Sequence, residues 1–128
     1  MSDLRNKAIE AAKNSYSPYS NAKVGSALET DSGVIYSGCN VENSSFGGTV
    51  CAERVAIWKM VSEGEKRISK IYVYTDKGWP PCGLCRQVMS EFASKDLEII
   101  IGDAKGNETK MSLEEMLPLA FTPSEFNK

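Results

Sequence analysis

Three thiols and a carboxylate stand out in two short stretches, Cys51-Ala52-Glu53 and Pro81-Cys82-Gly83-Leu84-Cys85. A Cys-x-x-Cys pair at a helix start supplies two ligands to a metal ion, and a thiol from another segment makes a third. Zinc is tetrahedral, so three thiolates leave one position open, as a catalytic zinc requires. Glu53 is too near Cys51 to share the ion comfortably, yet it is placed to handle the protons of a water at the open position. Cys39 sits at a strand end before Asn40 and reads as a core residue, not as a fourth ligand that would close the site. These residues point to hydrolysis at one zinc ion per chain.

The chain has no histidine. That excludes Ser-His-Asp and Cys-His nucleophile systems, His-x-x-x-His metalloproteases and mixed Cys/His zinc sites. Any transition metal must be held by thiolate. Both ligand stretches sit at expected helix N-termini, where unsatisfied N–H groups and the helix dipole favour thiolate over thiol. Three thiolates nevertheless overcompensate a divalent ion, and an electron-rich zinc is a weaker acid for its water. Arg54 and Arg86 each follow directly on a site stretch, so at least one should hydrogen-bond a ligating sulfur.

The elements that must position these groups are readable in order. Residues 3–15 form an amphipathic helix with Ser2 or Asp3 as N-cap, broken by Tyr16-Ser17-Pro18-Tyr19-Ser20. Strands are expected over Val24–Thr30 and Val34–Cys39, joined at Asp31-Ser32-Gly33. Cys51–Ser62 reads as a helix apolar nearly all round and so buried on most sides, with Gly64 just past its end. A strand over Ile68–Thr75 follows, then a helix from Cys82 with Leu84, Val88, Met89 and Phe92 at helical spacing. Leu97–Ile101 is a buried strand. Only six residues separate it from a strand at Glu108–Met111, too few for a parallel crossover, so these two form an antiparallel hairpin. Ser112 or its neighbour caps a short helix through Leu117 that Pro118 ends. The fold class is α/β, a three-layer α-β-α sandwich around a mixed five-stranded sheet.

The 128 residues are expected to form one domain, residues 1–128, with 41% hydrophobic and 25% charged residues as in an ordinary soluble protein. No apolar run approaches a membrane span and the first residues lack a secretory h-region, so a cytoplasmic location is expected. A net charge of −2 argues against a duplex-binding surface.

Cys51-Ala52-Glu53-Arg54, Pro81-Cys82-Gly83-Leu84-Cys85-Arg86-Gln87 and Gly38-Cys39-Asn40-Val41-Glu42-Asn43 together resemble the homotetrameric cytidine deaminases of pyrimidine salvage. Tyr16-Ser17-Pro18-Tyr19-Ser20, Val61-Ser62-Glu63-Gly64 and Leu117-Pro118-Leu119-Ala120-Phe121 extend the likeness over nearly the whole chain. The resemblance implies that zinc-activated water attacks C4 of a cytosine nucleoside, with Glu53 moving protons from that water to N3 and then to the departing amino group. It implies that Asn40 and Glu42 hold the ribose 3′-hydroxyl and that the backbone at Ala52 helps read the pyrimidine. Phe121 would reach the base from a neighbouring subunit of a tetramer, and Arg54 would bond ligand sulfurs. Neither nucleic acid nor membrane is an expected partner.

Three positions depart from the family pattern. Ala22 stands where a base-lining Phe is usual, which leaves the pocket roomier or filled from elsewhere. Phe46 stands where Tyr is frequent and has no hydroxyl for the sugar, and Trp79 is an unusual neighbour of the site in a short turn. Ala22 motivates an alternative, a deaminase of bulkier cytosine nucleosides of the blasticidin type or substituted at N4 or C5. From other classes, Cys82-Gly83-Leu84-Cys85 after a strand also suits a dithiol redox protein, which leaves Cys51-Ala52-Glu53 without a task. A polynucleotide-editing deaminase would instead need a longer, helical link between the last two strands.

Overall fold

The computed structural model describes residues 2–126, without the side chains of residues 2 and 125. Helix α1 (Ser2–Ala12) is followed by the strands β1 (Gly25–Thr30) and β2 (Ile35–Cys39), then by α2 (Ala52–Ser62) and β3 (Ile68–Tyr74). Helix α3 (Gly83–Phe92) leads to β4 (Ala93–Gly102), β5 (Glu108–Ser112) and the single turn α4 (Leu113–Met116). The strand order is β2-β1-β3-β4-β5. Only β3 and β4 are parallel, linked through α3, and every other neighbouring pair is antiparallel. The sheet is therefore mixed, and β4 and β5 form the expected hairpin.

Strand alternation divides the core in two. Ala27, Tyr72 and Ile100, in register across β1, β3 and β4, face α1 through Leu4 and Ala8. Their neighbours Leu28, Ile71 and Ile99 point the other way, onto Ala56, Ile57 and Met60 of α2 and Cys85 and Met89 of α3. A period of two puts successive side chains on opposite faces, so each strand serves both layers. Close approach is allowed by glycine. A Cβ on Gly25 would lie 1.8 Å from Ala8 O, and one on Gly38 would lie 2.7 Å from the Val55 side chain. The two helices rest directly on the strand backbones at these points.

Several expectations shift. Helix α1 ends at Ala12, not at residue 15, because Lys13, Asn14 and Ser15 turn back onto the carbonyls three residues earlier. This tighter turn brings Ser15 to Asn40. The expected cap at Ser2 rests on a side chain outside the described residues. Strand β4 begins at Ala93, where Ser94, Lys95 and Asp96 had hidden it from an apolar pattern. Helix α2 is not buried on most sides, since Trp58 is 51% exposed and Val55 and Val61 only partly covered. Leu84 likewise faces outward from the first turn of α3, and Cys39 is half-buried. The capping of α4 is as expected: Ser112 Oγ accepts from Glu115 N while the Glu115 carboxylate accepts from Ser112 N, a reciprocal capping box. Among the described residues no helix is long and apolar enough to cross a membrane.

Candidate active site

The loop after β2 and the loop before α1's partner strands are stitched side by side. Tyr16 donates to Asn40 O and accepts from Glu42 N, while Val41 and Val50 exchange both backbone hydrogen bonds. This brings Asn40 and Glu42 next to Cys51. Cys51 is the N-cap of α2 and Cys82 the N-cap of α3, where Cys82 Sγ accepts from Cys85 N at 3.5 Å. Both helices start at the same end of the sheet, so their first turns converge.

The sulfurs of Cys51, Cys82 and Cys85 all lie within 4.8 Å of one another, and Cys51 and Cys82 are 3.6 Å apart. Tetrahedral zinc with bonds of about 2.3 Å to sulfur separates two ligands by about 3.8 Å, so the spacing of the trio suits that ion. All four cysteines are free. The charges agree with the geometry. The Cys51 thiol is brought down to about 5, chiefly by hydrogen bonding with Cys85, whereas Cys85 is pushed well up by that same neighbour and by burial. One of this pair ionises readily and the other resists, so a cation between them favours holding both as thiolates. Cys39 is not part of the cluster.

Glu53, 3% exposed, follows Cys51 on the first turn of α2. Burial, assisted by the Cys51 charge, raises its carboxyl to about 7. Arg54 Nη2 donates to Cys51 Sγ at 3.5 Å, as the excess of negative sulfur demands. Arg86 does otherwise. Its Nε donates to Pro81 O at 2.9 Å and its Nη1 to Met116 O at 3.0 Å, so it pins the ligand loop to the end of α4 and leaves the sulfurs alone. Those two carbonyls lack helix or sheet partners, which is why they capture the guanidinium.

A cavity of about 220 Å³ opens on this centre, its lining including Ala22, Asn40, Glu42, Cys51, Glu53 and Cys82. Asn40 is nearly spent: Oδ1 accepts from Ser15 Oγ at 2.5 Å and Val24 N at 3.0 Å, and Nδ2 donates to Ala22 O at 2.7 Å. Glu42 accepts from Tyr19 N, Ser20 N and Ser20 Oγ, which hold its carboxyl below the usual carboxylate range. One N–H of Asn40 and one lone pair of Glu42 remain for a ligand. Ala52 is fully buried between Cys51 and Glu53 and does not line the cavity. Nor do Phe46 and Phe121, which are 74% and 59% exposed and rest edge-on against Tyr19 and Phe126 respectively. Residue-by-residue reading had missed Ser15, Ser20 and Thr75. Ser20 lay within a recognised motif, but nothing local marked it as the anchor of Glu42.

An open three-sulfur centre beside a buried carboxylate belongs with hydrolytic zinc enzymes, not with structural zinc or a dithiol couple. Residues 1–101 match the family described as the cytidine and deoxycytidylate deaminase zinc-binding region. The chain belongs to that family, and its cofactor is zinc. It is 41% identical over 126 residues to a cytidine deaminase of Halalkalibacterium halodurans, covering 97% of this chain and 96% of that protein. A crystal structure of cytidine deaminase from Burkholderia pseudomallei superposes with a TM-score of 0.89 at 39% identity, over 94% of this chain and 98% of that one. The Mycobacterium tuberculosis cytidine deaminase superposes at 0.81 with 37% identity, over 94% and 95% of the two chains.

Proposed function

We propose that the chain is a zinc-dependent cytidine deaminase that hydrolyses the 4-amino group of a cytosine nucleoside to give the uracil nucleoside and ammonia. The observation that carries this reading is the convergence of three sulfurs within 4.8 Å at a cavity that also holds the buried carboxyl of Glu53. When bound, zinc supplies the Lewis acid that makes water a nucleophile near neutral pH. Glu53 is the proton carrier. A carboxyl raised to about 7 both accepts and returns a proton at neutral pH, so it takes one from the attacking water and gives it to N3. It then takes the second and gives it to the departing amino nitrogen. Cys51, Cys82 and Cys85 hold the ion, and Arg54 draws charge from Cys51.

Asn40 and Glu42 bind the ribose through their remaining N–H and lone pair, while the backbone at Ala52 reads the pyrimidine edge next to Glu53. Phe121 and Phe46 serve a neighbouring copy. Their exposure, together with that of Trp58 and of Leu119, supports faces covered by further copies of the chain, and the resemblance to homotetrameric deaminases makes the assembly a homotetramer with sites completed across interfaces. The enzyme acts as one domain in cytoplasmic pyrimidine salvage. The antiparallel β4–β5 hairpin and the net charge of −2 weigh against a polynucleotide substrate. The test is loss of cytidine ultraviolet absorbance, abolished by a chelator and restored by zinc, with ammonia released in equal amount. Zinc-loaded protein that leaves cytidine untouched would refute the reading.

A further inference from the structure

A second cavity, about 600 Å³, adjoins the reaction chamber and shares Ser20, Ala22, Thr75 and Trp79 with it. The reaction chamber alone is about 220 Å³, below the roughly 300 Å³ at which ligand pockets usually begin. The shared residues run along one flank. They include neither Glu53 nor a cysteine ligand, and they touch both the Glu42 end, through Ser20, and the Cys82 end, through Trp79. Given the deaminase reading, a cytosine whose C4 lies at the sulfurs and whose N3 faces Glu53 carries C5 on the side away from Glu53, and this flank is a part of the lining free of Glu53 and the sulfurs.

Two residues stand between the cavities. Ala22 follows Asn21, which holds a left-handed φ of 61° that asparagine tolerates, and it puts only a single methyl between them. Trp79 is fixed by its backbone N–H to Thr75 Oγ1 at 2.7 Å, yet its side chain is half exposed and walls both cavities. Beyond them the larger cavity carries Ile9, Ala12 and Tyr74 on its lining together with Trp79. Lys23 and Lys77 outnumber Asp76 at its rim, and Lys13 is paired with Glu10 at 2.8 Å. A flat, uncharged or anionic group suits this chemistry; a cationic one does not.

We propose that this side cavity admits substituents on C5 of the base, so that the enzyme deaminates cytosine nucleosides bearing a flat apolar 5-substituent as well as cytidine, with Ala22 and Trp79 setting that tolerance. The inference rests on the deaminase reading. The chemical step is unchanged: water adds at C4, the C4–N4 bond breaks, and a 5-substituted uracil nucleoside and ammonia leave.

The experiment compares zinc-loaded, full-length enzyme on cytidine, 5-phenylcytidine and N4-benzoylcytidine, with products separated by chromatography. The expected result is a kcat/KM for 5-phenylcytidine within about tenfold of that for cytidine. Ile9→Trp, at a residue that lines the side cavity but not the reaction chamber, should lower the 5-phenyl value by about tenfold or more while cytidine changes by less than about threefold. An aminomethyl group on the phenyl ring should lower turnover and a carboxylate should not. Cytidine turnover with 5-phenylcytidine left unconverted, whether or not it competes, would overturn the inference and leave the deaminase reading standing, as would conversion of N4-benzoylcytidine but not 5-phenylcytidine. Failure on cytidine itself would remove both.

Discussion

Arg54 and Cys51 are joined across one turn of α2: Nη2 donates to Sγ at 3.5 Å, and the guanidinium carbon lies 5.8 Å from the centroid of the Trp58 ring. The helix supplies the geometry, because positions three and four apart share a face. Sulfur on one side and an aromatic face on the other hold the cation in place. Arg54 Nε is buried and has no hydrogen-bond partner among the described residues, a cost incurred beside the Cys51 sulfur.

Replacing Arg54 with Ala should therefore weaken zinc retention by about 10–100-fold, the range found for groups that bond metal ligands. Competition against a chromogenic chelator measures it directly. Trp58→Ala should shift the same competition less, in the same direction, and Trp58→Phe should recover most of the loss. An Arg54→Ala protein that holds zinc as tightly as the parent would show that the guanidinium only packs.

For Glu53 the two functions of the site separate. Glu53→Gln preserves shape and leaves all three sulfurs, so about one zinc per chain should remain bound. Turnover of cytidine should nevertheless fall by about 10²–10⁴-fold or more, since amide nitrogen carries no proton between water and base. Zinc content by elemental analysis beside the initial rate distinguishes a proton carrier from a ligand: loss of the metal in this variant would assign Glu53 to the coordination sphere.

The contrast between Arg54 and Arg86 shows which parts of the site were legible in sequence. Cys51, Cys82 and Cys85 declared themselves through spacing and through helix starts, both local properties, and Arg54 acts within its own helix. Arg86 carries the same sequence signal, one residue after a site stretch, but its acceptor is Met116 O, thirty residues on, where the return of α4 decides the outcome. The β4–β5 hairpin was legible because six residues cannot cross a sheet. The exposure of Trp58 and Leu84 was not, because an apolar helix face says that something covers it and not whether the same chain does. Trp79 reads from sequence only as an unusual neighbour of the site; it is a half-exposed wall of two cavities, a position set by the meeting of the β3–α3 turn with the loop at Ala22.

On the opposite face of the sheet, Tyr72 gives a pH-dependent signature of the fold. Its hydroxyl accepts from Arg5 Nη1 at 2.7 Å and donates to Glu108 Oε2 at 2.5 Å, and a Cβ on Gly102 would fall 2.0 Å from it. Burial, with the Glu108 carboxylate adding to it, raises the phenol to about 12, above its usual value near 10. A group whose proton is held more tightly in the folded state contributes fully below the unfolded pKa and loses that contribution as pH climbs to the folded one. Stability measured by urea unfolding should thus decline between about pH 10 and 12, and Tyr72→Phe should show a shallower decline across that window. Parallel pH profiles for the two proteins would remove Tyr72 as the cause.

Asn40 tests whether the sugar end of the site is built as a rigid seat. Asp at this position keeps the shape and the oxygen that accepts from Ser15 Oγ and Val24 N, but it replaces the donor facing Ala22 O at 2.7 Å with a second acceptor. Two oxygens then confront each other in a site only 7% exposed, which should cost about 1–3 kcal/mol of stability, as a buried unsatisfied polar group does. The same change removes the one N–H left for the ribose, so KM for cytidine should rise more than kcat falls. Thermal unfolding read beside the KM against kcat split separates the two effects, because a purely structural Asn40 would lower Tm and leave KM where it was. Because Ala22 is the residue released, Asn40→Asp should also change the ratio of kcat/KM for 5-phenylcytidine and cytidine, and an unaltered ratio would mean that the loop at Ala22 is held by its other bonds alone.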